Sequence, residues 1–147
     1  MGLDITAYSR MERVDCDSRD CELDGHVNPY INPDFPEQAN GVSGCYRKTP
    51  ASKEHGFRAG SYGGYNWWRD ELAQMVSGLS AFSEMIMFSD CEGTIGPNTS
   101  RKLAADFGIF QELADARKDD DTMFTAKYQE WRKAFEIAQD GGFVRFH

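Results

Sequence analysis

A chain of 147 residues matches one compact domain and is long enough to bury a core of its own. Apolar residues make up 40% and aromatic residues 13%, too many for a disordered chain. The 16 Lys and Arg stand against 24 Asp and Glu, a net charge of −8, which argues against a protein that works by neutralising the phosphates of DNA or RNA.

The first 14 residues, MGLDITAYSRMERV, alternate loosely around Ile5, Thr6, Tyr8 and Val14 and read as an N-terminal strand. An acidic insert follows, DCDSRDCELDGH (15–26), with five carboxylates in ten residues. Asp20, Glu22, Asp24 and Gly25 match the opening of an EF-hand loop, but the twelfth position falls on Ile31, where a bidentate Glu is needed. A solvated acidic hairpin tip accounts for the insert better. Residues 27–44 hold three of the five prolines, two Asn-Pro pairs and an Asn-Gly, and read mostly as loop. Short extended pieces are expected at Cys45–Lys48 and Gly56–Ala59.

Three helices are predicted. The first spans about Asn66–Ser77, with Asn66 as its cap and Trp68, Leu72, Met75, Val76 and Leu79 on one stripe. The apolar run Glu84–Ser89 (EMIMFS) reads as a short buried strand. Pro97 opens the second helix, where its missing N–H costs nothing, and Leu103, Phe107, Phe110 and Ala114 recur at helical spacing. Lys118–Asp121 reads as a solvated connection. Phe124, Tyr128, Trp131, Phe135 and Ala138 mark the third helix, stopped by Gly141–Gly142. FVRFH (143–147) alternates and returns as a last strand. The expected fold is a single α+β domain, a small mixed or antiparallel sheet packed against three helices.

No apolar run approaches a membrane span and the N-terminus has no signal-peptide pattern, so a cytoplasmic location is expected. Reduced thiols are then the default for Cys16, Cys21, Cys45 and Cys91. Cys16, Cys21 and His26 form a C-x4-C-x4-H series, too widely spaced for a usual zinc site and short of a fourth ligand.

Two segments have the composition of a binding site. In FRAGSYGGYNWWR (57–69), three glycines free the backbone, and Arg58, Ser61, Tyr62, Tyr65, Asn66, Trp67 and Arg69 supply cations, hydroxyls, an amide and aromatic faces. The loop opens into a helix N-terminus, yet matches no nucleotide fingerprint. In MFSDCEGTIGP (87–97), Ser89, Asp90, Glu92 and Thr94 sit before the second helix, where carboxylates bind hydroxyls or amines, or work as acid and base. Cys91 is a weak nucleophile candidate, because its flanking carboxylates raise a thiol pKa. The bland alternative gives Trp68 to the core and Asp90 and Glu92 to loop N–H groups.

The segments FRAGSYGGYNWWRDELA (57–73), FSDCEGTIGP (88–97) with KLAADF (102–107), and YQEWRKAFEIAQDGGFVRFH (128–147), with the opening MGLDITAYS, resemble an uncharacterised family found in bacterial and bacteriophage genomes. The resemblance leaves out the acidic insert and the proline-rich loop, and implies no activity and no catalytic residues. It implies a phage or prophage setting, in which small proteins counter host defences, some by sequestering nucleotide messengers.

Together these readings favour a binding protein over an enzyme. The expected ligand is a nucleotide-like or sugar-bearing anion, held by Arg58 and Arg69, stacked on Tyr62 and Trp67, and hydrogen-bonded by Asp90 and Glu92. No cofactor, metal, nucleic acid or membrane is expected as partner; a second copy of the chain or a host protein is. Two alternatives stand beside it: a hydrolase or lyase of such a molecule using Asp90 and Glu92, and an acidic module that inhibits a host protein.

Overall fold

The computed structural model describes residues 2–15, 25–89, 92–117 and 122–147. The acidic insert from Cys16 to Asp24, with its EF-hand-like series and two cysteines, lies outside the described residues, as do Asp90, Cys91 and Lys118–Asp121. In chain order the elements are strands β1 (Leu3–Tyr8), β2 (Glu12–Val14), β3 (Cys45–Arg47) and β4 (Glu54–Gly60), then helices α1 (Tyr62–Met75) and α2 (Ser83–Ile86). Strand β5 (Gly93–Ile95), helices α3 (Pro97–Ile109), α4 (Gln111–Ala116) and α5 (Thr122–Ala138), and strand β6 (Phe143–Phe146) complete it. The fold is α+β, as expected.

Alternation in LDITAY sends Leu3, Ile5 and Ala7 into the core and leaves Asp4 and Thr6 on the other face. β1 pairs antiparallel with β4 on one side and β6 on the other, and β5 adds beyond β6, giving the order β4-β1-β6-β5. β2 and β3 form a separate two-stranded ribbon. One sheet face is covered by α1, α3 and α5, whose apolar stripes share a core with Ile5, Val144 and Phe146. Trp68 stacks on Trp131 and Phe124 at 5.8 and 5.6 Å, and its indole N–H donates to Phe124 O at 3.2 Å. The Tyr128 hydroxyl donates to Phe107 O at 2.7 Å, which satisfies the one polar atom of another core ring. Part of the opposite sheet face is covered by a smaller cluster of Tyr8, Val27, Val42 and Phe143.

Turns that close the sheet need their glycines. Gly141 takes φ +63°, a left-handed helix stop after α5, and a Cβ on Gly142 would collide with Tyr8 O. Among the described residues no helix is long and apolar enough to cross a membrane.

Four expectations are corrected. EMIMFS forms no strand: Phe82, Met85 and Phe88 are buried at intervals of three while Met87 is exposed, a helical spacing that yields α2. The first helix starts at Tyr62, four residues before the predicted cap, and ends before Leu79, which is 61% exposed. The second stripe is split at Phe110 into α3 and α4. Cys45 is disulfide-bonded rather than reduced, and its partner lies outside the described residues, where Cys16, Cys21 and Cys91 all fall.

Candidate functional site

Antiparallel pairing brings four chain positions to one end of the sheet. Leu3 faces Gly60, Ile5 faces Phe146, and Phe146 faces Gly93, so the end of β4, the start of β1, the end of β6 and the start of β5 lie side by side. The two segments singled out in the sequence therefore flank the same sheet end. They are three strand spacings apart, roughly 14 Å at about 4.8 Å each.

At the β4 side, Ser61 caps α1 by accepting the Gly64 N–H at 3.0 Å, because a short hydroxyl satisfies an otherwise orphaned first-turn donor. Tyr62 and Trp67 remain exposed on α1. Tyr65 does not: it is 1% exposed, its hydroxyl donates to Phe88 O at 2.7 Å, and burial pushes its pKa well above the phenol range. Arg69 donates to Ile86 O and to the Asn66 side-chain oxygen, with its guanidinium 4.9 Å over the Tyr65 ring. Stretches near 60 and 90 thus meet, but here they meet through packed rings and backbone hydrogen bonds, and Asn66 and Arg69 brace α1 against the chain after α2.

At the β5 side, Ser89 and Glu92 are exposed, whereas Thr94 is 1% exposed and donates to Tyr30 O at 2.7 Å. Asn32 donates to Glu92 O at 2.8 Å, so the proline-rich loop is pinned along β5. Asp90 and Cys91 lie outside the described residues. Tyr65 and Thr94, expected to face a ligand, are corrected to parts of the frame, since each spends its hydroxyl on a buried carbonyl.

Arg58 and Arg69 do not converge. Arg58 faces Asp4 across β1–β4, on the sheet face that α1 does not cover, and lies so close to Gly2 that a Cβ there would collide with its guanidinium. Its ion pair with Asp4 is long, 3.8 Å, and both side chains are about half exposed or more. The register places Thr6 and Arg145 opposite one another on that face, and Asp4 exchanges backbone hydrogen bonds with His147. Thr6 Oγ1 and His147 Nε2 are 2.9 Å apart. Burial, with the Arg145 cation behind it, holds the His147 imidazole below its ordinary pKa against the pull of Asp4. Arg145 makes no ion pair among the described residues. Gly56, opposite Thr6 on the edge strand β4, adds no side chain to this face, and Asp4 lies between Arg58 and His147. The open face thus gathers Arg58, Arg145, His147 and Thr6, three of which were missed because their grouping depends on pairing across more than a hundred residues. The alternation in FVRFH puts Arg145 and His147 on one strand face, but nothing in it marks that face as a site.

No group of three His, Cys, Asp or Glu side chains suited to a metal occurs among the described residues. No protein-family model, curated protein or solved structure matches the chain.

Proposed function

We propose that the protein binds a small nucleotide-like or sugar-bearing anion across this end of the sheet. What supports the reading is one grouping: Arg58, Arg145, His147 and Thr6 share, around the single carboxylate of Asp4, a sheet face left open by the helices, in a chain whose net charge is −8. A local cationic patch attracts an anion even when the global field repels it. Arginine holds phosphate or carboxylate oxygens, and the Thr6 hydroxyl donates to them. The exposed ring of Tyr62, two residues past β4, offers a stacking face at the sheet end with Trp67 a second one further along α1, and Ser89 and Glu92 accept or donate to hydroxyls at the far side. The roughly 14 Å between the two sides suits an extended ligand such as a dinucleotide better than a lone nucleoside.

In the phage setting implied by the sequence resemblance, such a protein would sequester a nucleotide signal.

The test is a thermal-shift and calorimetry panel of cyclic and linear mono- and dinucleotides. A binding nucleotide at 100 times its Kd adds about 2.7 kcal/mol of stability. Arg58→Ala and Arg145→Ala each abolish most of that shift, and the nucleotide is recovered intact after denaturation. A cleaved product would move the protein to the enzymes; a panel without any shift would overturn the proposal.

A further inference from the structure

The opposite end of the sheet holds a cavity of about 280 Å³ between the last turns of α5 and the chain at Ser9 and Lys53. Lys133 and Ile137 lie one helical turn apart on α5 and Asp140 follows in the turn just past its end, so the close of the helix forms a wall. The other wall is set by backbone pairing: Ser9 N–H donates to Lys53 O at 2.9 Å, and Lys53 N–H donates to Ser9 Oγ at 2.8 Å. Ser9 is 3% exposed, and its Oγ uses one lone pair as acceptor, leaving the hydroxyl proton without an acceptor among the described residues. The charges around the cavity are unequally engaged. Asp140 is held by Arg10 at 2.8 Å and Glu136 by Arg132 at 2.7 Å, whereas neither Lys53 nor Lys133 makes an ion pair among the described residues. Two solvent-exposed ammonium groups and one buried hydroxyl donor therefore have no partner among the described residues, while both carboxylates are ion-paired.

We propose that this cavity is a second binding site, for the phosphate dianion of a small phosphorylated metabolite. Lys53 and Lys133 supply the two compensating charges, Ser9 Oγ–H donates to a phosphate oxygen, and Ile137 borders the organic part. A volume near the lower end of ligand pockets restricts the occupant to a small molecule. The site is independent of the sheet-end patch, because no residue is shared.

Isothermal titration at constant ionic strength, with inorganic phosphate and glycerol 3-phosphate as probes and succinate as control, tests it. Saturable binding of both phosphates is expected, weakened about tenfold or more by Lys53→Met or Lys133→Met and still saturable in Arg145→Ala. Phosphate is also expected to protect Lys53 and Lys133 of the unaltered protein from acetylation, read by mass spectrometry. Non-saturable titration, equal protection without phosphate, or succinate binding as tightly as phosphate would overturn the proposal. Loss on Arg145→Ala with retention in both lysine variants would assign the phosphate to the sheet-end patch and overturn it as well.

Discussion

At His147 the physics of one side chain reports on the whole open face. Burial and the Arg145 cation disfavour its protonated form in the folded chain, so the unfolded chain takes up the proton first as pH falls. The group's contribution to stability is therefore intact above about pH 6.5 and lost as pH falls through the lowered folded value. Arg145→Ala is expected to raise the His147 pKa, followed through the ring C–H shifts in an NMR titration. An identical titration curve would mean that Arg145 does not face the imidazole. Arg58 was legible as a candidate because a packed core poorly explains an arginine in a segment rich in glycines and aromatic rings. Its neighbours were not, because nothing local to Thr6 or His147 distinguishes them from ordinary strand residues. Tyr65 and Thr94 carried the right chemistry for a site, yet their hydroxyls answer to buried carbonyls that no local pattern reveals.

Helix α1 illustrates how an element can be right in kind and wrong in extent. Asn66 and Ser61 are both good caps, and the glycines at 63 and 64 weigh against helix, so periodicity alone favours the later start. The hydrogen bond from Gly64 N–H to Ser61 Oγ settles it for Ser61. Ser61→Ala is expected to cost about 1 kcal/mol of stability, measured by urea denaturation. Because α1 presents Tyr62 at its first turn, the same substitution is expected to weaken nucleotide binding; no loss of stability would show the cap to be idle. α2 failed for a different reason: a run of six residues is too short for its period to show, and burial at every third position emerges only when the core is known. α5 was legible throughout, since five aromatic or small residues keep helical register over four turns.

Across the whole molecule, the strand order separates two charged regions. One end of the sheet gathers Arg58, Arg145 and His147; the other gathers Lys53, Lys133 and the ion-paired carboxylates. Beside them, Cys45 on β3 is held in a disulfide. A cross-link of this kind chiefly restricts the unfolded chain, so reduction is expected to lower stability by about 2–5 kcal/mol. Thermal unfolding with and without a phosphine reductant measures the loss, and Cys45→Ser should reproduce it without reductant. A melting temperature indifferent to reductant would show that the bond carries no stability.

Helices α3 and α5, the central strands β1 and β6, and the α+β class were written in local pattern: apolar residues at intervals of three and four or of two, a proline at a helix start, paired glycines at a helix end. Such signals act over a few residues and survive in any surroundings. Which face each arginine occupies was not written there. Arg58 and Arg69 are eleven positions apart in one segment, yet the sheet lies between them, because strand pairing and helix packing commit neighbouring stretches of chain to opposite sides of a shared layer. Sites assembled from strand ends are properties of that pairing, and the pairing comes into being when distant apolar faces are buried together.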